Sequence, residues 1–150
     1  MRSILIFGVG NRILGDDGAG SIAAERLSHL SGEGIEIIDA GTSLYYYLWP
    51  LVYEEKLPDE IIIMDIMVGE KPGTLHLLDF PQMGKGFLST HLFPDTDLFR
   101  RISERNVSIK FLLCEVGEYE KIFTENLSEN GRCCVEKMVD FIENYIKKIK

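Results

Sequence analysis

Three short stretches with almost no polar residue limit what this chain can fold into: Ser3 to Val9 (SILIFGV), Glu60 to Ile66 (EIIIMDI) and Val107 to Cys114 (VSIKFLLC). A strand with one wet face alternates apolar and polar residues, whereas a near-continuous apolar run belongs to a strand covered on both faces. Ile35 to Asp39 and the alternating Thr74 to Leu78 add two more strand-like segments. Helical patterns lie between them. Ala19, Ile22, Ala23, Leu27 and Leu30 recur at helical spacing, Asp97 to Glu104 reads as a further helix, and the aromatic segment Ser43 to Tyr53 is helical but interrupted at Pro50. The chain closes with Val135, Met138, Val139, Ile142, Ile146 and Ile149 on one helical face, with Ser128 as the expected N-cap. This alternation predicts an α/β fold of three layers, a largely parallel twisted sheet of about five strands with helices on both faces. Its 150 residues suit one domain over residues 1–150.

Charge narrows the partners. With 16 basic and 24 acidic residues the net charge is −8, which argues against nucleic acid, whose binding rests on Lys and Arg neutralising phosphates. It suits a chain that meets a basic peptide. No apolar stretch approaches the roughly 18 residues that span a bilayer, and no cleavage signal follows Met1-Arg2. The expected compartment is the cytoplasm, with no membrane partner. Three cysteines, two of them adjacent, make neither a disulfide framework nor a Cys-x-x-Cys site, so all three are expected to be reduced core residues.

The residues able to carry chemistry cluster after the strands. Asp16 and Asp17 follow the glycine-rich Gly8-Val9-Gly10-Asn11 and precede the first helix. One acid is explained as a helix cap; an adjacent pair repels, and a cation nearby would offset that cost. Asp65 ends or interrupts the buried run Ile61-Ile62-Ile63-Met64, where a carboxylate must be hydrogen-bonded, wet or bound to a cation. His91 lies in Ser89-Thr90-His91, in the irregular stretch after the fourth strand, while His29 and His76 read as structural or exposed. In open α/β sheets, sites form beyond the carboxyl ends of strands where the strand order reverses. Asp17 after strand one and Asp65 on strand three fit that crevice, and a loop bearing His91 would close it. Two carboxylates and an imidazole suit nickel, zinc or iron with positions left open.

These same residues carry a resemblance. Gly8-Val9-Gly10-Asn11 with Asp16-Asp17-Gly18-Ala19-Gly20, then Asp39-Ala40-Gly41-Thr42, then Met64-Asp65-Ile66 with Pro72-Gly73-Thr74, and finally Ser89-Thr90-His91 match in order the motifs of the hydrogenase maturation endopeptidases, over roughly the first two-thirds of the chain. The chain departs from that family after the fifth strand, where Gly117 precedes Glu118 and Tyr119 instead of a glycine followed closely by proline. The resemblance implies an endopeptidase that removes a C-terminal extension from the large-subunit precursor of a nickel hydrogenase once nickel is inserted, cutting after a basic residue. It also implies Asp17, Asp65 and His91 as metal ligands. No convincing Ser–His–Asp or Cys–His arrangement is present. The expected chemistry therefore uses nickel presented by the substrate, with Asp16 as a candidate general base; a resident zinc or other divalent ion is the variant of this reading.

Two readings from other classes compete. A dinucleotide fingerprint needs glycine or alanine where Ile13 stands, and two carboxylates would repel a pyrophosphate, but Asp39 ends the second strand where ribose-binding acids sit. The run Tyr45-Tyr46-Tyr47-Leu48-Trp49 cannot face one core entirely, which would suit a non-catalytic module that binds the hydrogenase precursor.

Overall fold

The computed structural model describes residues 2–80, 96–118 and 122–150. The first apolar run forms β1 (Ile4–Val9), every residue of it buried, because helices cover both its faces. It pairs in parallel with β2 (Ile35–Gly41) on one side and β3 (Glu60–Met67) on the other. Beyond β3 lies β5 (Ser108–Glu115), again parallel, and the sheet ends in the antiparallel β4 (Leu75–Asp79), giving the order β2-β1-β3-β5-β4. The predicted α/β architecture of five largely parallel strands is the observed one. β4 lies at an edge of the sheet and is only partly buried, with Leu75 packing on one core layer and Leu78 on the other.

Residue parity sorts the core into two layers. Ile4, Ile6, Ile62, Met64, Ile66, Leu112 and Cys114 face α1 (Ala19–Leu27) and α4 (Glu129–Ile149). Leu5, Phe7, Ile61, Ile63, Ile109, Phe111 and Leu113 face α2 (Leu44–Leu48) and α3 (Thr96–Ser103). Pro50 divides the aromatic segment as expected: α2 gives way to a 3-10 turn at Trp49–Tyr53. Within it Leu44 and Leu48 are buried, whereas Tyr46 and Tyr53 are exposed. Ser128 caps α4 by accepting the Gly131 N–H at 3.1 Å.

Two expectations need correction. Asp16 and Asp17 do not cap α1; they occupy a separate 3-10 turn, Gly15–Gly18, and Gly18 is the N-cap without a side-chain bond. The turn forms because Gly15 takes a positive φ of 61° and the chain there is held by the strand-like pairing of Leu14 with Thr124. The cysteines are also not all reduced: Cys114 on β5 and Cys134 on α4 are disulfide-bonded, with Cα atoms 5.6 Å apart. Both project into the same interlayer space, at a separation a bridge can span. Cys133 is free and half-buried.

At the amino ends of the strands sits a charged floor. Glu60 is fully buried, accepts from Lys110 Nζ at 2.6 Å, and is also met by Arg2 at 3.5 Å and by the Tyr145 hydroxyl. A buried carboxylate with this many donors is tolerated where a bare one would not be.

Candidate active site

The reversal of strand order falls between β1 and β3. The connection leaving β1 runs to β2 through α1 on one face, while the chain leaving β3 returns through β4 and α3 on the other. In open α/β sheets the binding crevice forms at the carboxyl ends of the strands beside such a reversal. The chain reaches it through close backbone approach. A Cβ on Gly20 would lie 2.5 Å from the carbonyl oxygens of both Met64 and Val9, and one on Gly8 would lie 2.1 Å from the Gly20 carbonyl oxygen. Only glycine lets α1 start directly against β1 and β3. The motif Gly18-Ala19-Gly20 thus lets the 3-10 turn that carries Asp17 lead into a helix start packed on Val9 and Met64.

Both carboxylates are buried there, Asp17 at 1% exposure and Asp65 at 0%. Asp17 Oδ2 accepts the Asn11 N–H at 3.4 Å, and a Cβ on Gly10 would strike the Asp17 carbonyl oxygen at 2.0 Å, so the glycine-rich loop wraps the acid closely. Asp65 does not end its strand: β3 continues to Met67, and Asp65 pairs in register with Leu113. Its parity with Ile61 and Ile63 points it to the α2/α3 layer, and its Oδ1 accepts the Ile66 N–H at 2.8 Å. Asp17 lies in the turn that follows β1 and Asp65 on the neighbouring β3; His91 lies outside the described residues. Among the described residues no three His, Cys, Asp or Glu side chains group to hold a metal ion.

Asp16 is engaged differently. Its Oδ1 accepts the Ser128 N–H at 2.8 Å and its Oδ2 accepts the Ser128 hydroxyl at 2.5 Å. A Cβ on Gly131 would lie 2.0 Å from Asp16 Oδ1, so this carboxylate fits against the first turn of α4 only because residue 131 is glycine.

Beside the crevice, Gly10, Arg12, Ser21, Asp39, Gly41 and Ser43 line a cleft of about 360 Å³. Asp39 is already occupied within it. It accepts from Arg12 Nη2 at 2.7 Å, from the Ser21 hydroxyl at 2.5 Å and from the Gly41 N–H at 3.1 Å. Burial works against the Arg12 charge, but hydrogen bonding to Glu25 and the nearby Asp39 carboxylate hold its pKa above the ordinary value. An acid so engaged is poorly placed to bind a ribose, which removes the motive for the nucleotide reading.

A second acid on the same sheet face was not singled out in the sequence. Glu115 is the last residue of β5, opposite Met67 of β3, and it is buried. His76 Nε2 meets Glu115 Oε2 at 2.8 Å, and the Lys71 N–H donates to Oε1 at 3.3 Å. The hydrogen bond to His76 holds the Glu115 carboxyl below the usual carboxylate range. The signal was an acid closing an apolar run, with a histidine at an alternate position of the neighbouring strand.

The chain is similar to known hydrogenase maturation proteases in sequence and in fold. The HycI model, described as hydrogenase maturation protease, matches residues 23–145. A putative hydrogenase maturation protease of Methanocaldococcus jannaschii is 30% identical over 152 aligned positions, covering 98% of each chain. The hydrogenase 3 maturation protease of Escherichia coli is 28% identical, covering 69% of this chain and 67% of its own length. The crystal structure of the [NiFe] hydrogenase maturation protease HycI from Thermococcus kodakarensis superimposes with a TM-score of 0.76 at 26% identity, covering 97% of this chain and 92% of that one.

Proposed function

Because the chain belongs to the hydrogenase maturation protease family, we propose that it removes the C-terminal extension of a nickel-containing hydrogenase large-subunit precursor, with Asp17, Asp65 and His91 as the working residues. The observation that supports this reading is the burial of two acids, Asp17 in the turn after β1 and Asp65 on β3, the strands between which the strand order reverses. In this reading the two acids and His91 meet the nickel of the precursor, which is part of the substrate. Oxygen donors with one imidazole leave open positions on such an ion, so the protease engages the metal without stripping it from its own ligands.

Peptide hydrolysis needs an activated water and a way to carry charge on the carbonyl oxygen. The chain supplies two carboxylates that hold the metal-bearing end of the precursor and orient the scissile bond against the crevice. Asn11, whose N–H is tied to Asp17, keeps that acid in place as the substrate enters. Water is activated by the substrate metal or by a carboxylate. Engaging metal only through the substrate makes cleavage conditional on nickel insertion.

The test is direct. Asp17→Asn and His91→Ala should each stop shortening of the nickel-loaded precursor, with far-UV circular dichroism unchanged; normal cleavage by both variants would sink the proposal. Mass spectrometry of nickel-loaded and nickel-free precursors should show loss of a fixed C-terminal piece in the first only. Metal analysis of freshly purified protein separates the variant reading, since near-stoichiometric zinc would mean a resident ion.

A further inference from the structure

We propose that Asp16 is a positioning residue: clamped to Ser128 at the start of α4, it fixes the 3-10 turn that carries Asp17, so the last helix of the chain sets the geometry of the working carboxylate. This rests on the reading of Asp17 as a working residue. Asp16 and Asp17 are adjacent in one four-residue turn, Gly15–Gly18, yet their carboxylates have different partners. Asp17 meets the glycine-rich loop through Asn11. Asp16 turns away and accepts two bonds from a single residue 112 positions later in the chain.

The clamp is built from both sides. The Ser128 hydroxyl donates to Asp16 and at the same time accepts the Gly131 N–H, so one side chain caps α4 and fastens the turn. Gly131 leaves the space that Asp16 Oδ1 fills. The negative charge sits at the first turn of a helix of 21 residues, where the helix dipole favours it. Thr124 adds a backbone hold, donating its N–H to the Ile13 carbonyl at 2.9 Å and accepting the Gly15 N–H at 2.8 Å. With Asp16 7% exposed and both oxygens engaged, its role is mechanical. A general base needs an oxygen turned to the reacting water.

Positioning and general-base roles diverge under substitution. If Asp16 acts chemically, Asp16→Asn alone is damaging. If it clamps, Ser128→Ala, which removes the hydroxyl that donates to it, and Gly131→Ala, which crowds Asp16 Oδ1, reproduce the damage while the carboxylate itself is kept. We expect kcat for the nickel-loaded precursor to fall about 10- to 100-fold in all three, the size of effect that small misplacement of a working group produces. KM should stay near the wild-type value, Ser128→Thr should retain turnover, and Asp16→Asn/Ser128→Ala should be no slower than Asp16→Asn. Full turnover in Ser128→Ala and Gly131→Ala beside an inactive Asp16→Asn overturns the clamp, as does a loss of thermal stability without change in kcat.

Hydrogen exchange reads the clamp without any activity. The Asp17 N–H, which donates to the Leu14 carbonyl at 3.3 Å, should exchange about 10-fold faster or more in Ser128→Ala, while β1 amides keep their rates. Unchanged Asp17 exchange overturns the proposal. A wild-type protein that leaves the precursor intact overturns the proposed function instead, and the exchange measurement still decides the clamp.

Discussion

Glu115 shows how much a single side chain in this molecule depends on its neighbours. It is held by His76 and by the Lys71 N–H, and a Cβ on Gly69 would overlap its Oε1 at 1.8 Å, so the loop after β3 is shaped around it. Its carboxyl lies below the ordinary value of 4.5, chiefly through the His76 hydrogen bond. A depressed carboxylate contributes stability that is fully present above its unfolded value and lost as pH falls through the folded one. Wild type should therefore be more stable than Glu115→Gln above pH 4.5. The gap should close as urea midpoints are followed down to about pH 3; a gap that stays constant would show that the ionised form contributes nothing. Residues of this kind were hard to read in advance. Asp17 and Asp65 could be picked out because acids after or within apolar runs conflict with their surroundings. Glu115 and Ser21 gave weaker signals, since each owes its role to a partner 39 or 18 positions away.

At the scale of the element, the strands and α4 were plain in the sequence because burial on both faces and a one-sided stripe each leave a fixed period. The 3-10 turn at Gly15–Gly18 was not, because its cause is tertiary: the Leu14–Thr124 pairing and the Ser128 clamp act across the chain. The junction of α1 with the sheet gives the sharpest test. Gly20→Ala places a methyl 2.5 Å from two carbonyl oxygens, Met64 and Val9, and neither backbone can yield without moving β1 or β3. Overpacking of this kind costs about 1–3 kcal/mol or more. Thermal melts should show Tm lowered by several degrees, on the order of 2–4 °C per kcal/mol for a chain of this size. A Tm equal to wild type would show that α1 stands off from the sheet. Processing should fall with it, since the turn that carries Asp17 leads directly into this contact.

Across the whole molecule, α4 ties the two ends of the sheet together. Its first turn holds Asp16 at the carboxyl pole, the Cys114–Cys134 bond fixes its next turns to β5, and Tyr145 near its other end reaches Glu60 at the amino pole. The bond was not legible from spacing, because the two sulfurs meet only once helix and strand have packed. It leaves one thiol of the three cysteines, Cys133. Titration of the denatured, unreduced protein should count one reactive thiol per chain, rising to three after reduction; three before reduction would refute the bond. No helix among the described residues is long and apolar enough to cross a membrane. The convergence on Glu60 also matters for handling the molecule. Arg2 and Tyr145 both end there, so the first and last parts of the chain meet at the pole opposite the crevice. A surface tether or affinity handle placed beside Arg2 or Tyr145 therefore lies away from the carboxyl ends of the strands, where the proposed working residues belong.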